Sequence, residues 1–329
     1  MEGVNYMIKT GIIGAGNIAI NFHVPELKKY PDKFQLVAFA DIDKDKLQKV
    51  GELFQTKTYQ KAEDLLADKG IDLIIICTRP HSTHAYLAIE SLKAGKNVIV
   101  EKPMCITSSE AKEMIKARDK SKKVLTTHQS RRWDIDFLDC KQVVEQKLLG
   151  ELKVIKNIYL AELGKIDSLY ELGSHMIDQT LKLAGGLPEK IVGTLAYPEE
   201  SWDKQGFVSA HFLYKNGLIA EMSLLPVPVA HIFPHLYLAG IKGTLVHEWV
   251  QRREDSLLKH MKFLGINEEF RPAHIELYQW KIPTFYENVY DAITKGKELL
   301  VKPEEGLEVV LCMEAIIESS RLKKVIDVI

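Results

Sequence analysis

Five short runs early in the chain, Ile8 to Ile13, Phe34 to Ala40, Leu73 to Cys77, Val98 to Val100 and Val124 to Thr127, are almost continuously apolar. A strand that is apolar on both faces needs cover on both, which a parallel sheet flanked by helices supplies. The stretches between them, Asn17 to Tyr30, Lys44 to Phe54, Ala62 to Ala67, His84 to Ala94 and Ser108 to Lys120, predict those helices. The alternation predicts an α/β fold that opens with a Rossmann-type, doubly wound parallel sheet over residues 1–128. After about His128 the pattern changes to a predicted helix from Ile135 to Leu149, a strand from Lys153 to Ala161 and a helix from Leu169 to Ala184. Strands then follow one another. Phe207 to Tyr214 and Leu218 to Leu224 flank Lys215-Asn216-Gly217, and Asn-Gly between two such runs is a strong hairpin signal. Leu236 to Ala239 and Thr244 to His247 extend the antiparallel part around Lys242-Gly243. Residues 129–329 therefore read as a second, α+β domain built on a largely antiparallel sheet. With 329 residues, 46% of them hydrophobic, the chain can fill two cores.

Charge narrows the partners. Lys+Arg at 44 against Asp+Glu at 45 leaves a formal net charge of -1, and basic residues adjoin only in pairs such as Arg131-Arg132, so nucleic acid is not expected as a partner. Residues Met1 to Lys9 lack the continuous apolar core of a signal peptide, and no run approaches the length of a membrane span, so no membrane partner is expected either. Cys77, Cys105, Cys140 and Cys312 are far apart with no Cys-x-x-Cys pair, which fits a reduced, cytoplasmic protein. No metal site is expected. His81 and His84 lack a third ligand nearby and read as helix-start residues, and Pro234 opposes a helix joining His231 to His235. Trp202 and Trp249 fit core packing or a subunit contact equally well.

Gly14-Ala15-Gly16-Asn17-Ile18-Ala19 follows the first strand and opens the first helix. Gly14 ends the strand, Gly16 lets a pyrophosphate approach the backbone, and Ala19 is small enough for close helix–strand packing. The helix start, at Asn17 and Ile18, would face the phosphates with unpaired N–H groups and the positive end of its dipole. Asp41 follows the second strand, where an acidic side chain accepts hydrogen bonds from both hydroxyls of an adenine ribose. Its negative charge would repel a 2′-phosphate, so NAD is the expected cofactor. NADP stays open, because Lys44 and Lys46 are near enough in sequence to compensate.

The strand Val98 to Val100 runs into Glu101-Lys102-Pro103, which puts a lysine at the carboxyl end of a parallel strand, where such sheets bind ligands. Farther along, Glu171, His175, Asp178 and Lys182 share one helix face, opposite Leu172, Met176, Ile177, Thr180, Leu181 and Ala184. That polar stripe is expected to face either water or a cleft.

These blocks resemble the Gfo/Idh/MocA oxidoreductases, the family of glucose-fructose oxidoreductase and inositol dehydrogenase. Gly11 to Gly16 is similar to the family's opening strand and turn, and Ala94-Gly95-Lys96-Asn97-Val98 through Glu101-Lys102-Pro103 to its signature. Arg131-Arg132-Trp133, Leu149-Gly150-Glu151-Leu152 and Glu171 to Asp178 follow in the family's order. The resemblance implies that Lys102 and His175 are catalytic, with Glu171 beside them, and that Gly14, Gly16, Asn17, Ile18, Asp41, Thr78, His84, Glu101 and Lys102 bind the cofactor. It implies a substrate site drawn from Lys102, Arg131, Trp133, His175 and Asp178. Glu171 departs from the family, which usually has aspartate four residues before the histidine; the stretch Leu160 to Tyr170 is also short beside many relatives.

The implied reaction moves a hydride between a nicotinamide and a secondary alcohol of a sugar, a cyclitol such as an inositol, or a sugar acid, with the scyllo-inositol dehydrogenase-like branch nearest. His175 would be the general base and Lys102 would stabilise charge on the reacting oxygen, the two domains together forming the cleft. Two alternatives remain: a non-catalytic sensor that binds dinucleotide and sugar, and an imine or biliverdin-type reductase. A second-domain sheet with one face free of its own helices, together with the resemblance, predicts a homodimer or homotetramer.

Overall fold

The computed structural model describes residues 6–160, 169–196, 207–225, 235–247, 261–265 and 282–328. They fall into two compact units, residues 1–128 with 282–310, and residues 129–281 with 311–329. Residues 282–310 return to the first unit, where a split into 1–128 and 129–329 would leave them in the second. They return because they complete its interior: Val310 is fully buried in the same apolar cluster as Ile74, Val98, Met104 and Leu125, and Leu307 packs against it.

In the first unit the elements run β1 (Ile8–Ile13), α1 (Val24–Lys28), β2 (Phe34–Ala40), α2 (Lys44–Phe54), β3 (Lys57–Tyr59), α3 (Ala62–Ala67), β4 (Leu73–Ile76), α4 (His84–Lys93), β5 (Asn97–Val100), α5 (Ser108–Ser121) and β6 (Leu125–Thr127). The six strands form one parallel sheet in the order β3-β2-β1-β4-β5-β6. All four residues of β4 and of β5 are buried, as apolar runs covered on both faces require. The helix starts are fixed by polar side chains. Asp43 accepts from the amides of Asp45 and Lys46 at the head of α2, and Thr107 with Glu110 forms a capping box on α5. A π-helical turn, Ala19–His23, precedes α1, and the Val24 amide donates to Ala19 O, five residues back. Pro25 has no amide hydrogen for a regular helix, and the wider turn just before it absorbs the mismatch. α8 (Phe285–Lys295), in the returning segment, is also held by a capping box, here from Thr284 and Glu287.

The second unit contains α6 (Ile135–Glu145), β7 (Leu152–Leu160), α7 (Ser174–Ala184), β8 (Lys190–Ala196), β9 (Phe207–Leu213), β10 (Ile219–Leu225), β11 (Leu236–Gly240), β12 (Gly243–His247), β13 (Met261–Gly265) and β14 (Ile326–Asp327). Its strands form one eight-stranded sheet, β13-β12-β11-β7-β10-β9-β8-β14. Only the β7–β10 pair is parallel among the described ladders of this sheet. The expected hairpin joins β9 to β10: Tyr214 donates to Leu218 O, and Gly217 adopts φ +78°, a left-handed conformation that glycine takes without a side-chain clash. α9 (Pro303–Leu322) spans the boundary at residue 310, and its later part lies on β8. A Cβ on Gly193 would meet Ile316 Cα at 2.9 Å, and the Gly193 and Leu195 amides donate to Ser319 and Ser320. Close helix–strand contact there needs a residue with no side chain.

Candidate active site

The glycine turn sits where the strand order of the parallel sheet reverses, between β1 and β4, the place at which such sheets receive ligands. Gly14 is required twice over. Its φ is +98°, and a Cβ there would lie 2.7 Å from Cys77 O at the end of β4. Gly16 is different: an added Cβ would find no atom within 4 Å, so the backbone is open on that side. Ala19 is fully buried, Ile18 is half exposed, and Asn17 Oδ1 accepts from the Asn21 amide group at 2.9 Å. Asp41 Oδ2 accepts from the Ala15 amide at 2.7 Å, and Oδ1 accepts from the Asp43 amide at 2.9 Å. The carboxylate thus ties the end of β2 to the glycine turn. Open backbone at Gly16, a helix beginning at Asn17 and an acidic group after β2 fit a bound dinucleotide.

Lys102 leaves the carboxyl end of β5, two strands from β1, and is half-buried. The peptide bonds Lys102–Pro103 and Arg79–Pro80 are both cis. The Glu101 carboxylate turns inward. Its Oε2 accepts from the Lys102 amide at 3.1 Å, while Oε1 lies 3.0 Å from His23 Nε2 and 2.6 Å from His128 Nδ1. The other ring nitrogen of His23 is 2.5 Å from the Tyr286 hydroxyl, on α8 of the same unit. Burial pushes the Glu101 carboxyl up, but the charges and hydrogen bonds of His128 and His23 prevail and hold it well below the usual carboxylate range. Burial lowers the His23 ring from its ordinary value, and its hydrogen bond to Glu101 only partly opposes this. His23, Glu101 and His128 are also the one described group whose atoms converge closely enough for a metal. Their separations of 2.6 and 3.0 Å are those of hydrogen bonds, whereas tetrahedral nitrogen and oxygen ligands lie about 3.4 Å apart.

Two residues expected to bind the cofactor also tie loops of the first unit together. His84 is fully buried at the start of α4, with Nδ1 2.8 Å from Pro103 O and Nε2 3.0 Å from Thr78 O, so it joins the loop after β4 to the loop after β5. The Thr78 hydroxyl pairs with that of Thr83 at 2.6 Å.

In the second unit the predicted helix over 169–184 forms with a π-helical first turn, Leu169–Gly173, before α7 begins at Ser174. The expected polar stripe is not a solvated one: His175 and Asp178 are buried, and Glu171 and Lys182 are half-buried. Residues 129–132, around the 3-10 turn Ser130–Trp133, supply partners for His175 and Asp178. Gln129 Oε1 lies 2.8 Å from His175 Nδ1, and the Gln179 amide group donates to Arg131 O at 3.1 Å. Arg132 grips Asp178 with two hydrogen bonds of 2.7 and 2.5 Å, both residues being almost fully buried. Each Asp178 oxygen thus accepts from the Arg132 guanidinium, a bidentate pairing that fixes the carboxylate's orientation. Arg131 lies over the Tyr159 ring, 5.2 Å from its centre, and 3.6 Å from Asp134; Trp133 is half-buried. His235 precedes β11 and pairs with Asp136 at 2.7 Å. Trp202, His231, Trp249 and the short stretch at 161–168 lie outside the described residues. Sequence reasoning passed over His23, Gln129, His128 and Tyr286, none of which sits in a motif of its own.

A parallel sheet carrying a glycine turn, an acidic residue after its second strand and a lysine at the end of its fifth defines a dinucleotide-binding protein of the Rossmann class. Residues 8–129 match the oxidoreductase family described as an NAD-binding Rossmann fold, and residues 235–328 match that family's C-terminal alpha/beta domain. The chain belongs to the Gfo/Idh/MocA oxidoreductase family. It is 27% identical to the scyllo-inositol 2-dehydrogenase (NADP(+)) IolW of Bacillus subtilis, over 97% of this chain and 95% of that one. It is 31% identical to the myo-inositol 2-dehydrogenase of Thermotoga maritima over 45% of this chain and 44% of that one. Among solved structures, yvaA from Bacillus subtilis superposes with a TM-score of 0.86 at 26% identity, covering 98% of this chain and 99% of that one. No described helix is long and apolar enough to cross a membrane.

Proposed function

We propose that this oxidoreductase transfers a hydride between a nicotinamide cofactor, NAD in preference to NADP, and a secondary alcohol of a sugar, a cyclitol or a sugar acid. The observation that carries the proposal is the placement of Lys102 at the carboxyl end of β5, with its amide held by the Glu101 carboxylate, in the same sheet as the open glycine turn. The names of the inositol dehydrogenases among its relatives support a polyol; the NADP(+) in one of those names keeps the second cofactor in the test.

A bound nicotinamide supplies the site for the hydride. The ammonium of Lys102 hydrogen-bonds the substrate oxygen and stabilises the negative charge that grows on it, while His175 takes the hydroxyl proton; in reduction His175 returns that proton and Lys102 polarises the carbonyl. Arg131 and Trp133, on the turn that also holds α7, are proposed to contact the substrate's other hydroxyls. The free cysteines among the described residues support a reducing, cytoplasmic setting, and we infer a homodimer or homotetramer, which light scattering on the purified protein measures directly.

A panel of inositols, sugars and sugar acids assayed with NAD and with NADP for nicotinamide reduction tests the reading. Turnover of at least one polyol is expected, and Lys102→Ala or His175→Ala should lower its kcat by roughly 10²- to 10⁴-fold. Wild-type turnover in Lys102→Ala, or dinucleotide binding with no polyol oxidised, would overturn it.

A further inference from the structure

We infer that Gln129 is a positioning residue that decides which nitrogen of His175 carries the ring proton. The inference rests on the general-base reading of His175 given above. Gln129 is almost fully buried, and its Oε1 lies 2.8 Å from His175 Nδ1. A carbonyl oxygen can only accept, so the neutral ring keeps its hydrogen on Nδ1, and Nε2 is left with the lone pair that a base requires. The position of Gln129 is itself fixed. Immediately after it, the Arg132–Asp178 ion pair and the bond from Gln179 to Arg131 O pin the same turn to successive residues of α7. A glutamine orients the imidazole without setting a negative charge against it, unlike the carboxylate that commonly backs a functional histidine.

The tautomer can be read directly. In full-length protein labelled with ¹⁵N-histidine, long-range ¹H–¹⁵N spectra at a pH where the ring is neutral, assigned with His175→Asn, should show His175 protonated on Nδ1. Gln129→Leu should give a mixture of tautomers and lower kcat roughly 10- to 100-fold with little change in cofactor KM. Gln129→Glu should keep Nδ1 protonated and move the acid limb of the pH–rate profile upward by about 1 to 3 pH units, since Glu171, Arg131, Arg132 and Asp178 are unchanged and only the new carboxylate is added. A wild-type ring protonated on Nε2, or an unaltered tautomer in a natively folded Gln129→Leu, would overturn the inference. Absence of polyol turnover would instead count against the proposed function, and the wild-type spectrum would still decide the role of Gln129.

Discussion

Asp41 uses both of its oxygens on backbone amides, those of Ala15 and Asp43, so the residue expected to choose between cofactors also shapes the turn that holds either one. Asp41→Ala should therefore raise KM for NAD and NADP alike, and raise the ratio of NADP to NAD efficiency by about tenfold or more, the scale of losing a charged hydrogen bond and a like-charge repulsion. An unchanged ratio in steady-state kinetics would remove Asp41 from ribose recognition. At Glu101 the pH dependence has a definite sign. Its carboxyl titrates below the ordinary range in the folded chain, so its stabilising contribution is complete above the unfolded value near 4.5 and disappears as pH falls toward the folded one. His23 works in the same direction, because below about pH 6.5 the unfolded ring takes a proton that the buried ring resists. Glu101→Gln should cost about 3 kcal/mol at neutral pH, and the gap in Tm from wild type should close in strongly acid solution. The place of Lys102 at a strand end was legible because the apolar run before it and the proline after it mark that end. Gln129 and His23 were not, because each is a single polar residue whose partner lies 46 or 78 positions away.

The regular elements of the first 128 residues were mostly legible from periodicity: α2 and α3 occupy the predicted residues, and the apolar runs became β1, β2, β4, β5 and β6 within a residue or so, whereas β8, α8 and α9 had no counterpart among the expected elements. β3 escaped because Lys57–Tyr59 is a three-residue edge strand with no buried position and hence no apolar signature. Both helices that carry glycine-turn or histidine chemistry begin with π turns, Ala19–His23 and Leu169–Gly173, and a 3.6-residue count carried through such a turn places later side chains about one position off. Of the stripe from Glu171 to Lys182 only Glu171 lies in such a turn; His175 and Asp178 keep their spacing within α7 and are buried because Gln129 and Arg132 cover them. The Arg132–Asp178 pair stabilises α7 against the Ser130–Trp133 turn. Asp178→Ala leaves a guanidinium buried without its carboxylate and should cost about 3–5 kcal/mol in chemical denaturation, whereas replacing both residues with apolar ones should recover much of the loss. Equal destabilisation by the single and double replacements would mean the pair is not the origin of the effect.

Across the whole chain, the first unit is closed by residues from far downstream. Thr126 on β6 donates to Val301 O, Arg118 reaches Glu304, and Tyr286 completes the His23–Glu101–His128 network. A fragment of residues 1–128 should accordingly show secondary structure by circular dichroism but no cooperative thermal transition, while the same fragment joined to 282–310 by a flexible linker should regain one; a cooperative 1–128 fragment would contradict this. Composition and alternation told where the parallel sheet lies, but nothing in a local pattern marks a late segment as belonging to an early core, since that membership is set by contacts across the chain. Protein synthesis feels the same arrangement as a delay. About 150 residues separate His128 from Ile282, and at roughly 5–20 residues per second the ribosome needs on the order of ten to thirty seconds to cover them. For that interval the newly made sheet waits with part of its interior uncovered, an exposure expected to favour chaperone binding and to make yield depend on how fast residues 129–281 are translated.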